Sequence, residues 1–312
     1  MVHHRECPLC SSPAIELLFK CNDHFVSRKE FPVFKCRSCS FSFTQDYPEE
    51  SQIGEFYESE DYVSHNDTAK GFSNKLYRFA RKIMLRRKKG LVTGITGLKE
   101  GIILDIGSGT GYFAGTMKEA GWKVKGIEVS EKAREFSKSR FGLDIVAPGM
   151  ISALESSSFD CITLWHVLEH FHDPFSYISE ISRLMKPRSF CIIALPNSDS
   201  YDAKKYGKHW AAWDVPRHLW HFDPSTFSLF CEKSGLTLAG IKSLPLDVFY
   251  ISQLSEKYKG SEFPFLKGMF RGAVFSIGTF FNLKKSSSVV YILTKPVNSD
   301  QANGTFLNCH RI

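Results

Sequence analysis

The chain lacks any apolar run long enough to cross a bilayer. Its longest candidate, Gly272–Leu283, spans 12 residues, against the roughly 18 a membrane helix requires. The opening MVHHRECPLC contains no apolar h-region, so no secretion signal is expected and the cytoplasm is the expected compartment. Internal repeats and low-complexity blocks are also missing. With 43% hydrophobic and 23% charged residues, a wholly disordered or collagen-like chain is excluded. Acidic residues are absent from residues 68–99, which carry ten Lys or Arg and no Asp or Glu. The net charge of +7 therefore comes from this stretch, and the rest of the chain is slightly acidic. Such a distribution excludes a protein that coats nucleic acid uniformly.

What is present starts with nine Cys and 27 Phe in 312 residues. The Phe content predicts an aromatic-rich core. Four of the Cys form two knuckles, Cys7-Pro-Leu-Cys10 and Cys36-Arg-Ser-Cys39. A CxxC turn directs two thiolates at one point, and two such turns close a tetrahedral Zn²⁺ shell. In a reducing compartment paired cysteines point to metal before disulfide. Short alternating apolar runs between the knuckles suit strands, so residues 1–45 are expected to form a zinc ribbon with structural Zn²⁺ on Cys7, Cys10, Cys36 and Cys39. A unit this small can scarcely bury enough core to fold without metal. Cys21 and His24 also have ligand-like spacing and offer an alternative second pair.

Residues 46–94 read as a linker and lid. Phe72, Leu76, Phe79 and Ile83 predict one apolar stripe on a helix over Phe72–Lys89, with Lys75, Arg78, Arg81, Lys82, Arg86 and Arg87 on its other face. That face is either a solvated surface or a grip for phosphate, RNA or an anionic membrane. From residue 95 strand and helix patterns alternate, which predicts a parallel sheet. Strands are expected at Ile102–Ile106, Lys123–Val129, near Leu143–Ala147, and at Asp160–Trp165, Phe190–Leu195 and Ser288–Leu293. Helices are expected at Tyr112–Ala120 and Glu131–Phe141, from Asp173-Pro174 to Pro187, and from Asp223-Pro224 to Gly235. Residues 297–312 are polar and patternless, a disordered tail.

Between the first of these strands and its helix stands Asp105-Ile-Gly107-Ser108-Gly109-Thr110-Gly111-Tyr112. Glycines there let a ligand approach the backbone. The spacing is G-x-G-x-G, with Tyr112 where a dinucleotide loop would place its third Gly. Asp105 sets a carboxylate beside the ligand, which suits an ammonium and repels a pyrophosphate. Seventeen residues beyond Gly111, Glu128 ends the second strand, where a carboxylate accepts from ribose hydroxyls. A ribose, an ammonium-bearing tail and no phosphate describe S-adenosylmethionine.

LDIGSGTG with Glu128, followed by FDCITLWHVLEHFHDP and ISRLMKP…IIALPN, resembles the class I S-adenosylmethionine-dependent methyltransferases. It is similar to the branch containing the ubiquinone-biosynthesis O-methyltransferases and many sugar and natural-product methyltransferases. The likeness covers about residues 95–296. It implies an α/β, Rossmann-like fold with a seven-stranded sheet ordered 3-2-1-4-5-7-6 and an antiparallel last strand. It also implies S-adenosyl-L-homocysteine as product. An N-terminal zinc ribbon followed by an FY…Y segment occurs in that branch too, matched here by Phe56-Tyr57 and Tyr62. His166 would border the cofactor and His170 face the acceptor. The family often binds the adenine amino group with an Asp after the third strand, where this chain has Pro148-Gly149-Met150. Adenine would then rest on backbone and apolar contacts. The expected cofactor residues are Asp105, Gly107, Ser108, Gly109, Thr110, Gly111, Tyr112, Glu128, Val129, Met150 and His166.

Methyl transfer to a hydroxyl or an acidic carbon needs a base. Six of the 11 His fall between His166 and His221. The segment Trp210–Phe222 packs three Trp, two His, Asp214 and Arg217 together, a mixture that suits an acceptor pocket with aromatic walls. The candidate catalytic residues are His170, His218, His221 and Asp214. A metal on Glu169, His170 and the His218/His221 pair is an alternative use of the same groups. The apolar segment 263–283 is expected either to pack on the sheet or to make peripheral membrane contact. The expected partner is a small-molecule acceptor of sugar, isoprenoid or natural-product type, with nucleic acid not expected. The competing readings are an RNA methyltransferase gripping through the ribbon and basic helix, and a ribbon scaffold with a vestigial cofactor fold. Steep loss of affinity with salt would mark the RNA binder.

Overall fold

The computed structural model describes residues 1–57 and 72–296, with side chains in the second span from Phe79 onward. Tyr62, the side chains of Phe72, Lys75, Leu76 and Arg78, and the tail at 297–312 lie outside the described residues. Three strands come first, β1 (Ile15–Asn22), β2 (Glu30–Cys36) and β3 (Ser42–Thr44). A long helix, α1 (Phe72–Thr96), leads into β4 (Ile102–Ile106), α2 (Tyr112–Glu119), β5 (Lys123–Ile127), α3 (Glu131–Phe141) and β6 (Asp144–Val146). Next come β7 (Phe159–Trp165), α4 (Pro174–Leu184) and β8 (Met185–Pro196). The chain continues through α5 (Tyr201–Tyr206), β9 (Trp220–His221), α6 (Pro224–Lys233) and β10 (Thr237–Ser243). It ends with α7 (Asp247–Tyr258), α8 (Pro264–Phe281) and β11 (Ser288–Thr294).

Local chemistry sets many of these boundaries. Asp173 caps α4 by accepting from Ser176 N at 3.0 Å, with Pro174 at the first position where its missing N–H costs no bond. Asp223 and Thr226 cap α6 reciprocally: Oδ1 of Asp223 accepts from Thr226 N, and Thr226 Oγ1 accepts from Asp223 N at 2.9 Å. Helix α4 stops at Leu184, short of Pro187, and β8 begins at once. Pro187 fits inside this strand because the register with β7 shifts between Phe159 and Cys161, so no ladder bond there needs its N–H.

Seven strands form one sheet in the order β6-β5-β4-β7-β8-β11-β10. Counted from β4 this is 3-2-1-4-5-7-6, as the resemblance implies. β6, β5, β4, β7 and β8 run parallel, and β11 is antiparallel to both β8 and β10. The central strands are buried on both faces, through Ile103, Leu104, Ile162, Leu164, Ile192 and Ile193, hence their nearly continuous apolar runs. Among the described residues no helix is long and apolar enough to span a membrane.

The ribbon and the basic helix both differ from expectation. A second sheet runs β1-β2-β3-β9, so the ribbon's strands end on Trp220 and His221, far along the chain. Cys7, Cys36, Phe41, Phe43 and Tyr47 share one apolar cluster with Leu104, Leu164 and Ile193. The expected boundary after Gln45 therefore cuts through a continuous core. Helix α1 extends to Thr96, and its later turns carry the packing: Met84, Leu85, Leu91, Val92 and Ile95 meet Ile103, Phe113 and Met117. Phe79 and Ile83, from the predicted stripe, are 63% and 41% exposed. The stripe occupied the first half of a longer helix, and the sheet lies under the second half.

Phe43 is fully buried at this junction. Phe43→Ala should destabilise the whole protein by about 3–5 kcal/mol and keep one cooperative transition in calorimetry. A separate low-temperature transition for the N-terminal part would contradict the shared core.

Candidate active site

The glycine loop leaves β4 and is stitched to the neighbouring strand: Gly107 N and Ser108 N both donate to Ile127 O, at 2.8 and 3.0 Å. Gly107, Gly109 and Gly111 have φ of +69°, +53° and +79°, a region costly for other residues. A Cβ on Gly107 would lie 2.3 Å from Val167 Cγ2, and one on Gly111 2.7 Å from Ser137 Oγ. Around Gly109 there is open space. Its N–H donates to Glu128 Oε2 at 2.8 Å, while Glu128 Oε1 accepts from Ser130 N at 2.9 Å. β5 ends two residues earlier than expected, which leaves Glu128 half-buried in the loop above it and Val129 exposed. Glu128 N bonds Val146 O at 3.0 Å, tying this loop to β6, and the short 3₁₀ turn Pro148–Ala153 after β6 presents Met150 to solvent.

Asp105 is buried beneath the loop and accepts from Thr163 Oγ1 at 2.7 Å. Burial pushes its carboxyl up to about 7, against the Thr163 hydrogen bond and the Lys88 ammonium. Lys88 lies 4.5 Å from the centre of the Trp165 ring, and Arg81 lies 3.9 Å above that of Tyr112. The basic face of α1 thus turns partly toward this end of the sheet.

Following β7, the histidines form a connected group. His166 has φ +61°, and its Nε2 is 2.9 Å from Asp247 Oδ2 and its Nδ1 3.6 Å from Glu169 Oε1. Burial disfavours its charge, but these carboxylates overcome that and raise it to about 9. His170 Nδ1 is 2.9 Å from the Tyr57 hydroxyl and 3.0 Å from Arg217 O. His218 Nδ1 is 2.9 Å from Ala212 O. A carbonyl can only accept, so each Nδ1 carries a hydrogen, and on neutral His170 the Nε2 keeps a free lone pair. The two rings meet edge to face, with centroids 4.6 Å apart. Burial, then the neighbouring His218, lowers His170 to about 4. Glu169, His170 and His218 converge, their ligand atoms all within 4.8 Å. Glu169 is fully buried, and neither oxygen has a hydrogen-bond partner among the described residues.

Asp214 and Arg217 back this group. Arg217 donates to Asp214 through Nε (3.0 Å) and Nη2 (2.7 Å), to Asp23 through Nη2 (3.0 Å), and to Phe56 O through Nη1 (2.9 Å). Burial opposes the Asp214 charge, but Arg217 holds its carboxyl below the usual range. Asp214 Oδ2 is 3.8 Å from His218 Nε2.

His221 is not in the convergent trio. It sits on β9 with Nε2 3.0 Å from Thr44 Oγ1, and burial drives it far below the usual histidine range. His218 lies just outside that strand, so the HxxH spacing does not bring its two rings to one metal position. The tryptophans are largely core side chains, although Trp210 and Trp213 also border a small cavity beside Asp214 and Tyr258. Trp210 and Trp213 pack with Phe31, Val33 and Tyr206, their indole N–H groups bonded to Asp202 and Gly207 O, while Trp220 donates to Phe171 O. Sequence reasoning missed Asp247, Asp23 and Lys88, and read Tyr57 as part of a linker and of the FY…Y segment without giving it a role in the site. Asp247 begins a helix whose pattern it did not separate, and the others bear no local signal.

The four knuckle cysteines converge as well. Cys7–Cys39 and Cys10–Cys36 sulfurs are each 3.6 Å apart, and all four lie within 4.8 Å. A tetrahedron with 2.3 Å zinc–sulfur bonds has edges of about 3.8 Å. Each knuckle turns the same way: Ser11 N donates to Cys7 O and Ser40 N to Cys36 O, with φ of +59° and +64°. Cys21 instead donates to Lys208 O, and His24 stacks on Tyr258 at 3.8 Å, so the alternative pair is engaged elsewhere.

Comparison with known proteins agrees with this architecture. Residues 76–239 match a family model described as a methyltransferase domain. The ubiquinone biosynthesis O-methyltransferase of Cupriavidus pinatubonensis is 27% identical over 177 residues, covering 52% of this chain and 71% of the relative. That of Ralstonia nicotianae is 28% identical over 155 residues, covering 46% and 65%. Two solved structures share the fold with TM-scores of 0.51. The Haemonchus contortus phosphoethanolamine N-methyltransferase 2, in complex with S-adenosyl-L-methionine, is 15% identical and covers 82% of this chain and 62% of its own. The Burkholderia thailandensis 1,6-didemethyltoxoflavin-N1-methyltransferase is 14% identical and covers 84% and 98%. With a family match over half its length and a sheet in the order the family implies, the chain belongs to the class I S-adenosylmethionine-dependent methyltransferases.

Proposed function

We propose that this methyltransferase transfers its methyl group to a hydroxyl of a small-molecule acceptor, with His170 as base and His218 beside it. The observation that carries the reading is the His170 Nε2 lone pair, set by the Arg217 carbonyl on Nδ1, with the His218 ring edge to face beside it at the carboxyl edge of the sheet. The relatives' names, as O-methyltransferases, favour oxygen as the acceptor atom.

The donor half uses the open loop. Gly109 presents bare main chain, Glu128 accepts the two ribose hydroxyls, Asp105 faces the ammonium, and Met150 with Val129 covers the adenine side. Gly107, Ser108, Thr110, Gly111 and Tyr112 shape the loop, and His166, held by Asp247, borders it. S-adenosylmethionine, when bound, supplies an electrophilic methyl group, so the protein has to orient the acceptor and take one proton. His170 is suited to this because it stays unprotonated, and Tyr57 with the Arg217 carbonyl fixes its ring. Asp214 and Arg217 position His218. The acceptor is a sugar, isoprenoid or natural-product alcohol or phenol. Arg81 and Lys88 of the basic helix lie on aromatic rings of this domain, which favours the small-molecule reading over RNA.

We read residues 1–45 as a ribbon built on Zn²⁺ held by Cys7, Cys10, Cys36 and Cys39, residues 46–94 as a connecting lid, and 95–296 as the catalytic part. The sulfur spacing and the matched knuckle turns support this metal. Because the ribbon shares the core, removing zinc should lower the single melting transition of the entire protein. Metal analysis finding no zinc, or a melting curve indifferent to a strong chelator, would count against it.

Calorimetry of donor binding tests the donor half. Glu128→Ala should weaken S-adenosylmethionine by about 1–3 kcal/mol. Asp105 is raised to about 7 in the free protein, and a neighbouring ammonium lowers it again. Binding at pH 6 should therefore release close to one proton, vanishing by about pH 8.5 and absent in Asp105→Asn. Unchanged affinity in Glu128→Ala would remove the ribose assignment.

His170→Gln should lower kcat by about 10²–10⁴-fold with donor affinity intact. Because His170 is held near 4, the acid limb of the wild-type rate profile should lie below about pH 5, well under an ordinary histidine. A fully active variant would exclude His170 as the base.

A further inference from the structure

Helix α8 is turned inside out relative to a surface helix of a globular protein. Its glycines face inward: a Cβ on Gly268 would lie 2.5 Å from the Gln253 backbone, on Gly272 2.7 Å from Phe249, and on Gly278 2.8 Å from Tyr201. The small residues thus bring α8 hard against α7 and α5. The large apolar residues consequently point away. Leu266, Phe270, Ile277 and Phe281, spaced along one face, are 64%, 72%, 64% and 81% exposed, and Phe263 and Phe280 extend the patch at either end. A contiguous apolar surface of this kind marks a binding face.

Charge identifies the occupant. From Phe263 to Thr294 there is no carboxylate. Lys267 and Lys284 are exposed and make no ion pair among the described residues, and Lys257 and Lys259 stand exposed at the adjoining end of α7. A second copy of this chain across a two-fold axis would set like charges against like around the patch. An anionic lipid surface would meet the same lysines favourably while the phenylalanines enter the acyl boundary.

We propose that the outward face of α8, with its flanking lysines, docks on an anionic lipid bilayer surface. The helix would lie in the interface plane, since it is not a membrane span. This inference stands on the exposed face alone and does not depend on the acceptor assignment above.

The test uses the full chain and co-sedimentation with phosphatidylcholine vesicles, with or without roughly 30% phosphatidylglycerol. Binding is expected to the anionic vesicles and to weaken as salt rises. It should fall at least tenfold in Phe270→Ser/Ile277→Ser/Phe281→Ser and again in Lys267→Glu/Lys284→Glu. Every replaced side chain is exposed, and donor affinity by calorimetry should stay unchanged, which separates lost docking from misfolding. Absence of vesicle binding, equal binding to neutral vesicles, or full binding by the triple variant would overturn the proposal. So would a wild-type dimer that the triple variant turns into a monomer, since a second copy would then cover the face.

Discussion

A guanidinium with no exposure to water must be fully paired, and Arg217 is such a group. Its two carboxylates come from opposite ends of the architecture: Asp23 from the hairpin between β1 and β2, and Asp214 from the loop before β9. Asp23 is itself locked by Phe25 N, Val26 N and Ser27 N. Breaking one arm of a buried pair strands a charge in low dielectric, a cost of about 3–5 kcal/mol. The ribbon is therefore not an appendage. It supplies half of the charge that allows Arg217 to be buried, and the Arg217 carbonyl in turn orients His170 in the proposed site.

This constraint explains why the two sheets share a core. Strand β9 pairs with β3 and immediately follows Arg217 and His218, so any movement of the ribbon would move both. Thr44 reinforces the link by donating to His218 O at 2.6 Å while meeting His221 Nε2. The two cysteine knuckles close the far side of the same unit. A metal there would stiffen the hairpin that holds Asp23, which gives a structural zinc a route to the acceptor half without touching substrate.

The proposed donor half would work by the opposite logic, leaving main chain open where the proposed acceptor half is filled. Gly107 and Gly111 are forced by close neighbours, whereas Gly109 is glycine for its positive φ, with open space where a Cβ would stand. Likewise, small residues face inward on α8 because α7 approaches closely, and this sends its phenylalanines outward. In both places glycine permits a close backbone contact, and the proposed roles rest on what is left uncovered.

The legible parts of this protein were local. The G-x-G-x-G loop, Glu128 at a strand end, the two CxxC turns and the alternation of strands and helices are all patterns within about 30 residues, set by backbone geometry and periodicity. From them, with the resemblance they carry, the sheet order could be written down in advance. Tertiary structure alone decided which distant groups meet. Arg217 pairs with Asp23 at a separation of 194 residues, His166 with Asp247 at 81, and the tryptophans of 210–220 turn into core. No period or spacing encodes such pairings, because they depend on how whole elements pack. The same holds for α1, whose apolar stripe was visible but whose sheet contact lay farther along, and for α8, where hydropathy could not say which face would be left to the outside.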